Sequence, residues 1–386
     1  MMQKDFYCAT DFIVNEEEIW YVALGYNHLC CYDYKNCVMK KRVILPVENS
    51  EVRLFENLVK VDNYLVLIPS FAKNVIVFDM LKENCISLSL EEHAGKNIRF
   101  YDYYIKNKIV YFFPRGCGRN DINPYLIGKL NLENMDLSFS DSLKELIKLP
   151  GHNVNVEIFH RDCIKLKEEI IFLYGNTNMV CIYNCNHETY EMRQVDNTTN
   201  MYFTICQIDE MRFCLSNQFG DIILWNRMTD GVQKIKYNIA GMEREKSERG
   251  TAEEMFRHSI YYNGMVYFFP MFCNKALQYD VARNEVREAY FSKLIIGGEK
   301  PQYPCFYSKL SNVHIMNDKM YIWNIRRRIL YEIDLKSEQI NEFCIEVQME
   351  KSEIKQCMDE WSKEKGEIFQ ESKLLYMNLQ SLLELH

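Results

Sequence analysis

Seven times along this chain, an apolar run behind a polar turn is followed by a second run that closes on an aromatic or aliphatic residue and then Asp or Asn. The closing residues are Asp33, Asp79, Asn131, Asn184, Asn226, Asp280 and Asp334, at intervals of 42 to 54 residues. The third and sixth copies share the string Tyr-Phe-Phe-Pro, at Tyr111 to Pro114 and Tyr267 to Pro270. Each copy follows a polar turn (Asn107-Lys108, Asn263-Gly264), and a Cys stands three residues past each Pro, at Cys117 and Cys273. Repetition at such a period marks one supersecondary unit that hides its apolar face only by stacking on its neighbours.

A further strand-like stretch precedes each first run, as in Leu58-Val59-Lys60-Val61 and Arg257-His258-Ser259-Ile260-Tyr261. After each Asp or Asn, a short polar turn leads into an alternating strand such as Glu285 to Tyr290. The Asp or Asn suits that turn, because its side chain can accept from backbone N–H groups just ahead of it. Four short strands repeated seven times predict an all-β chain, a seven-bladed β-propeller of four-stranded blades. Six and eight blades are the neighbouring counts, since the first and last units are the faintest. Sandwiches do not repeat at a fixed period near 50 residues, and β-helix coils are shorter. The propeller is expected over 6–345, with blades near 6–46, 54–90, 98–139, 156–195, 200–237, 256–290 and 305–345.

The units, with their aromatic-Asp third strands, resemble the Kelch and galactose-oxidase type of propeller. The Gly-Gly pair that Kelch repeats carry after the second strand has no counterpart: the sole Gly-Gly, Gly297-Gly298, lies between units. The resemblance therefore implies a fold and transfers little function.

Aromatic residues make up 13% of the chain, which favours strands over helices. A net charge of -8 argues against nucleic-acid binding over the whole surface. No window is long and apolar enough for a membrane helix. The start, Met1-Met2-Gln3-Lys4-Asp5, lacks an apolar signal-peptide region. Most of the fifteen Cys sit in apolar strands (Cys181, Cys206, Cys214), where a thiol behaves as a small hydrophobe. Together these features predict a cytoplasmic protein with reduced thiols.

Two segments leave the repeat. Gly241 to Glu254 is a charged connection, expected as a solvated loop or short surface helix. From about Glu346, Ile354, Trp361, Ile368, Leu375 and Leu382 recur every seven residues among helix formers and charges. This C-terminal segment, 346–386, reads as a helix with one apolar seam. Lys365 and Ser372 spoil the complementary seam, which disfavours a long coiled coil. The segment either packs on the propeller flank, where blade seven meets blade one, or mediates self-association or partner docking.

No nucleotide-binding Gly-rich loop, His-Glu-x-x-His or Gly-x-Ser-x-Gly is present. Cys181-x3-Cys185-x-His187 lacks a second pair to complete four ligands, so no metal and no cofactor is expected. Propeller ligands sit where first strands begin and where second and third strands connect. Those places hold Arg53, Arg99, Arg115, His160, Arg161, Arg257, His258, Tyr307 and Arg326, with Tyr101, Asp102, Asp162, Asn176, Asn217, Gln218 and Asn274 beside them. Guanidinium forks gathered at one end suit a carboxylate or phosphate. The favoured reading is a non-catalytic interaction module that binds a protein or glycan through the channel face. The alternative is an epimerase or lyase for an anionic sugar, with His160 or His258 moving the proton and Arg161, Arg257 or Arg115 holding the carboxylate.

Overall fold

The first expectation met by the structure is the turn at each repeating Asp or Asn. In the computed structural model, all seven side chains accept backbone N–H bonds from two or three residues ahead. Asp79 Oδ1 takes Leu81 and Lys82 at 3.0 and 3.1 Å, and Asp334 Oδ1 takes Lys336 and Ser337 at 2.9 and 2.8 Å. Asp33, Asn131, Asn184, Asn226 and Asp280 do the same. Four residues past every anchor the backbone is left-handed, at Cys37, Glu83, Met135, Glu188, Asp230, Asn284 and Glu338, with φ between 51° and 58°. The residue after each anchor donates to the carbonyl of the preceding hairpin turn, as in Leu132 N to Lys108 O (3.0 Å) and Val281 N to Gly264 O (2.9 Å).

The structure describes residues 9, 11–23, 28–46, 54–91, 99–114, 125–148, 159–175, 177–245, 254–296, 310–325 and 327–345, with the backbone alone for 56, 101, 147, 160 and 161. These hold twenty-eight strands in seven four-stranded antiparallel sheets, each built from four consecutive strands. The fold is a seven-bladed β-propeller, as the repeat requires. Among the described residues no helix is long and apolar enough to cross a membrane. The chain forms two compact units, Met1–Ile98 with Gly298–His386 (blades 7, 1 and 2) and Arg99–Gly297 (blades 3 to 6).

The first strands are Phe12–Asn15, Phe55–Val61, Phe100–Lys106, Phe159–Lys165, Tyr202–Gln207, Phe256–Tyr262 and Leu310–Met316. Within each unit the first strands of different blades meet one another, so they are the inner strands. Apolar clusters fill the spaces between neighbouring blades. One joins blades 1 and 2 (Trp20, Leu29, Leu58, Leu65), and others join blades 3 and 4, 4 and 5, and 5 and 6. The duplicated Tyr-Phe-Phe-Pro supplies the second strand twice with one geometry. Phe112 packs on Phe100 and Phe268 on Phe256, both at 5.5 Å. Gly128 faces Phe112, where a Cβ would stand 2.8 Å from its ring.

The paired polar turns are also equivalent. Asn107-Lys108 has φ of 48° and 61°, and Asn263-Gly264 has 46° and 82°. Two left-handed residues fit the type I′ hairpin. Blade 6 places Gly where blade 3 has Lys, so Lys108→Gly is expected to raise stability by about 0.5–1 kcal/mol, the relief of side-chain strain less glycine's extra chain entropy. Urea unfolding of the single variant checks this.

The anchors also predict acid behaviour. Backbone and side-chain N–H donors hold Asp33, Asp79 and Asp334 below the usual carboxylate range. Their contribution is therefore present above the unfolded pKa near 4 and is lost as pH falls through the lower folded value. Asn fills the same position in blades 3 to 5 with the same bonds. Replacing Asp33, Asp79 and Asp334 together by Asn is expected to flatten the loss of stability below pH 4, read from unfolding curves at stepped pH.

The described part of the charged connection between blades 5 and 6, 241–245, is a largely exposed loop, as expected, and its backbone is tied to blade 6. It runs antiparallel to the loop of blade 6, with Glu243 N on Asn274 Oδ1 (2.8 Å), Glu245 N on Phe272 O (2.8 Å) and a bridge from Arg244 to Cys273. The backbone of 272–274 offers it a strand edge, which its charge pattern does not reveal. The C-terminal segment 346–386 lies outside the described residues.

Candidate functional site

Six of the seven inner strands, those of blades 2 to 7, carry a bulge or register shift near the start. In blades 2, 3, 5 and 6 an aromatic residue opens the strand, one residue bulges, and a polar residue follows. A bulge of this kind re-aims the next side chain. The polar residues are Asn57, Asp102, Thr204 and His258, paired with Ile68, Phe113, Ser216 and Phe269. Asp11, Asp162 and Asn312 take the corresponding place in blades 1, 4 and 7, each next to a paired residue (Phe12, Cys163, Val313). Every blade thus has a polar group at one register position of its inner strand.

In the unit of blades 3 to 6, Asp162 and His258 are bonded to each other, and the two carboxylates, Asp102 and Asp162, are bonded to backbone. Asp162 is buried, and all its contacts use it as an acceptor. Its Oδ2 takes Ser259 N at 3.0 Å and Ile205 N at 3.3 Å, with Ser259 Oγ at 3.5 Å. Its Oδ1 lies 2.9 Å from His258 Nδ1, which joins blade 6 to blade 4 past blade 5. Burial pushes the Asp162 carboxyl up, opposed by the His258 contact and the two backbone N–H groups. With Nδ1 turned to Asp162, His258 Nε2 is buried and has no hydrogen-bond partner among the described residues; nor has Thr204 Oγ1. Asp102 repeats the arrangement one blade earlier. It accepts from Tyr103 N (2.7 Å) and Cys163 Sγ (2.9 Å), and Lys165 Nζ stands 3.0 Å away, over the Tyr103 ring. Burial and then Asp102 push the Cys163 thiol well up, so it is held protonated and is a poor nucleophile.

The unit of blades 7, 1 and 2 uses Asp11 in the same way. It accepts from Phe12 N (3.0 Å) and from Leu58 N of blade 2 (3.2 Å), and His314 Nε2 of blade 7 lies 3.0 Å from its Oδ1. Asp11, Asp102 and Asp162 therefore each bond the inner strand of the next blade, at Leu58, Cys163 and Ile205. No group of three or more metal-ligating side chains occurs among the described residues.

Of the residues chosen from sequence, Arg53, Arg115, Tyr307 and Arg326 lie outside the described residues, as does Asn176. His160 and Arg161 fall on the inner strand of blade 4, whose side chains there are not described. Arg99 is half-buried before the inner strand of blade 3. Arg257 is the bulged residue of blade 6, its Nη1 3.7 Å from Met271 Sδ. His258 is brought onto a carboxylate, that of Asp162. The loop amides hold loops: Asn217 Oδ1 accepts from Phe219 N and Asp221 N, Gln218 Oε1 from Met201 N, and Asn274 ties down Gly241 and Glu243. Asp11 and the shared register position of Asn57 and Thr204 were missed. The signal was present, a polar residue recurring at one place in seven inner strands.

No protein-family model matches the chain, and no curated protein matches it. Solved structures do. PorZ, a surface component of the type-IX secretion system of Porphyromonas gingivalis, aligns at 10% identity and TM-score 0.52, over 89% of this chain and 39% of that one. The protein U3-55K aligns at 10% identity and TM-score 0.51, over 82% and 88%. The extracellular domain of a putative one-component system from B. thetaiotaomicron aligns at 9% identity and TM-score 0.43, over 86% and 46%. The chain thus spans less than half of the first and third. At such identities the likeness shows the fold alone, and the score of 0.43 adds nothing to it.

Proposed function

We propose that this propeller is a non-catalytic interaction module whose partner is a protein. The observation that carries this is the use of the inner-strand groups: Asp11, Asp102 and Asp162 are occupied by backbone N–H groups, a thiol and imidazoles of other blades. Carboxylates spent on clasping blades are not available as acids or bases. A protein partner suits the exposed apolar side chains of blade 5 better than a glycan does. Met211 and Met228 stand on adjoining turns, joined by Arg227 N to Met211 O at 3.0 Å, and Met228 is 68% exposed. Methionine adapts to varied apolar partners, whereas sugars stack on exposed aromatic rings, of which Phe219 is the one described. The likeness to Kelch-type propellers supports this reading as an analogy of fold only.

A photo-crosslinking residue at Met228 is expected to trap one discrete protein in the producing cells, and Met211→Asp is expected to abolish the product. Diffuse labelling unaffected by Met211→Asp overturns the reading.

One observation favours a second reading, an epimerase or lyase acting on an anionic sugar. His258 has the geometry of a proton-transfer imidazole, with Nδ1 on a buried carboxylate and Nε2 without a partner among the described residues. Dose-dependent thermal stabilisation by sugar acids or sugar phosphates, lost in Arg257→Ala, would support it, followed by solvent proton exchange lost in His258→Gln.

A further inference from the structure

Eleven cysteines are described, none in a disulfide, and Cys37 and Cys344 are the two that are exposed. These two lie together. Cys37 Sγ is 3.6 Å from the carbonyl oxygen of Cys344, although 307 positions of chain separate them.

The repeat explains how they meet. Cys37 is the left-handed residue of the turn after Asp33, with φ of 56°, and its sulfur stands 3.8 Å from Tyr34 O. Cys344 ends the outer strand of blade 7, Ile340–Cys344. Blade 1 alone has Cys four residues past its anchor, and blade 7 alone has Cys ten residues past. Tyr32 Oη on Cys344 O at 3.3 Å and Tyr34 against Phe343 at 4.9 Å hold the two segments beside each other. Each sheet is complete from its own four strands, so no shared strand joins blade 7 to blade 1 among the described residues.

We propose that Cys37 and Cys344 form a disulfide under oxidising conditions, a reversible covalent clasp between blades 7 and 1. A disulfide brings the Cα atoms to about 4.4–6.8 Å. Cys37 in a turn and Cys344 at a strand end stand where a backbone yields most easily to that spacing. Exposure favours this pair over Cys206 and Cys214, which face each other across two strands of blade 5 but are buried.

Oxidised glutathione suffices as the oxidant. One protein thiol loses its proton, and its thiolate attacks the glutathione disulfide and expels one glutathione thiolate. The second protein thiol, deprotonated in turn, attacks the mixed disulfide at the protein sulfur and expels the other. Two protein thiols are oxidised, and one glutathione disulfide becomes two glutathione thiols, which take up the two protons.

The full chain, incubated with oxidised glutathione and digested without reduction, is read by mass spectrometry. Peptides joined through Cys37 and Cys344 are expected. The oxidised protein is expected to melt about 5 °C above the reduced one, since the bond closes a long loop. Cys37→Ser and Cys344→Ser, both at exposed positions, should each abolish this shift and leave the reduced melting temperature unchanged. The proposal is overturned if the two cysteines carry glutathione separately, join other cysteines or link two chains. It is also overturned if the Cys37 to Cys344 bond forms and melting does not change, because the bond then clasps nothing.

Discussion

Replacing Asp162 with alanine is expected to lower the unfolding free energy by about 3–5 kcal/mol, the usual result of removing one member of a buried, hydrogen-bonded charged cluster. The carboxylate is the meeting point of three blades. Without it, Ile205 N and Ser259 N lose their acceptor inside the protein, and His258 Nδ1 loses its partner. Asp162→Asn keeps one acceptor oxygen but turns an NH2 toward a donor, so a smaller loss, about 1–3 kcal/mol, is expected. Urea unfolding followed by circular dichroism reads both.

Glu332→Ala is expected to cost about 3–5 kcal/mol for the same reason, at a different place. All seven blades are complete from consecutive strands, so blades 7 and 1 share no strand among the described residues and meet through side chains. Glu332 is the centre of that seam. It takes Lys319 Nζ at 2.8 Å, Tyr321 Oη at 3.1 Å and Asn341 Nδ2 at 3.2 Å, and it takes Tyr34 Oη of blade 1 at 3.4 Å. Tyr34 packs against Phe343 at 4.9 Å, and Tyr21 against Trp323 at 5.0 Å. Burial and the Glu332 charge push the Tyr321 phenol up to about 12.

The Glu332 carboxyl itself is lowered: burial raises it, but Lys319 and Asn341 outweigh burial. A lowered carboxyl contributes above its unfolded pKa near 4.5 and stops contributing as pH falls through the folded value. The deficit of Glu332→Gln relative to the parent should therefore shrink below pH 4. A deficit that is constant with pH would mean that the charge of Glu332 does not hold the seam.

What the amino-acid pattern disclosed was the architecture. Asp and Asn at seven anchors announced turns because their side chains bond only a few residues away, and such local chemistry is written in order along the chain. The clasps are different in kind. Asp11 reaches Leu58 and His314, and Asp162 reaches Ile205 and His258, so their partners are set by how blades stack. Choosing Arg and His at strand starts looked for charge able to hold an anion. That search found His258 and set Asp162 beside it, but that the two meet across blade 5 is decided by how the blades stack. The 241–245 connection reads correctly as an exposed loop, but the backbone bonds that tie it to blade 6 leave no mark in its charge pattern.

The pairing of Asp162 with His258 carries the choice between a structural clasp and a catalytic pair. A double-mutant cycle of Asp162→Asn and His258→Gln, measured by urea unfolding, tests it most directly. A clasp predicts that both single variants are destabilised and that the two are coupled by about 1–3 kcal/mol. Single variants as stable as the parent, or more stable, would contradict it, because residues kept for chemistry are commonly held at a cost in stability.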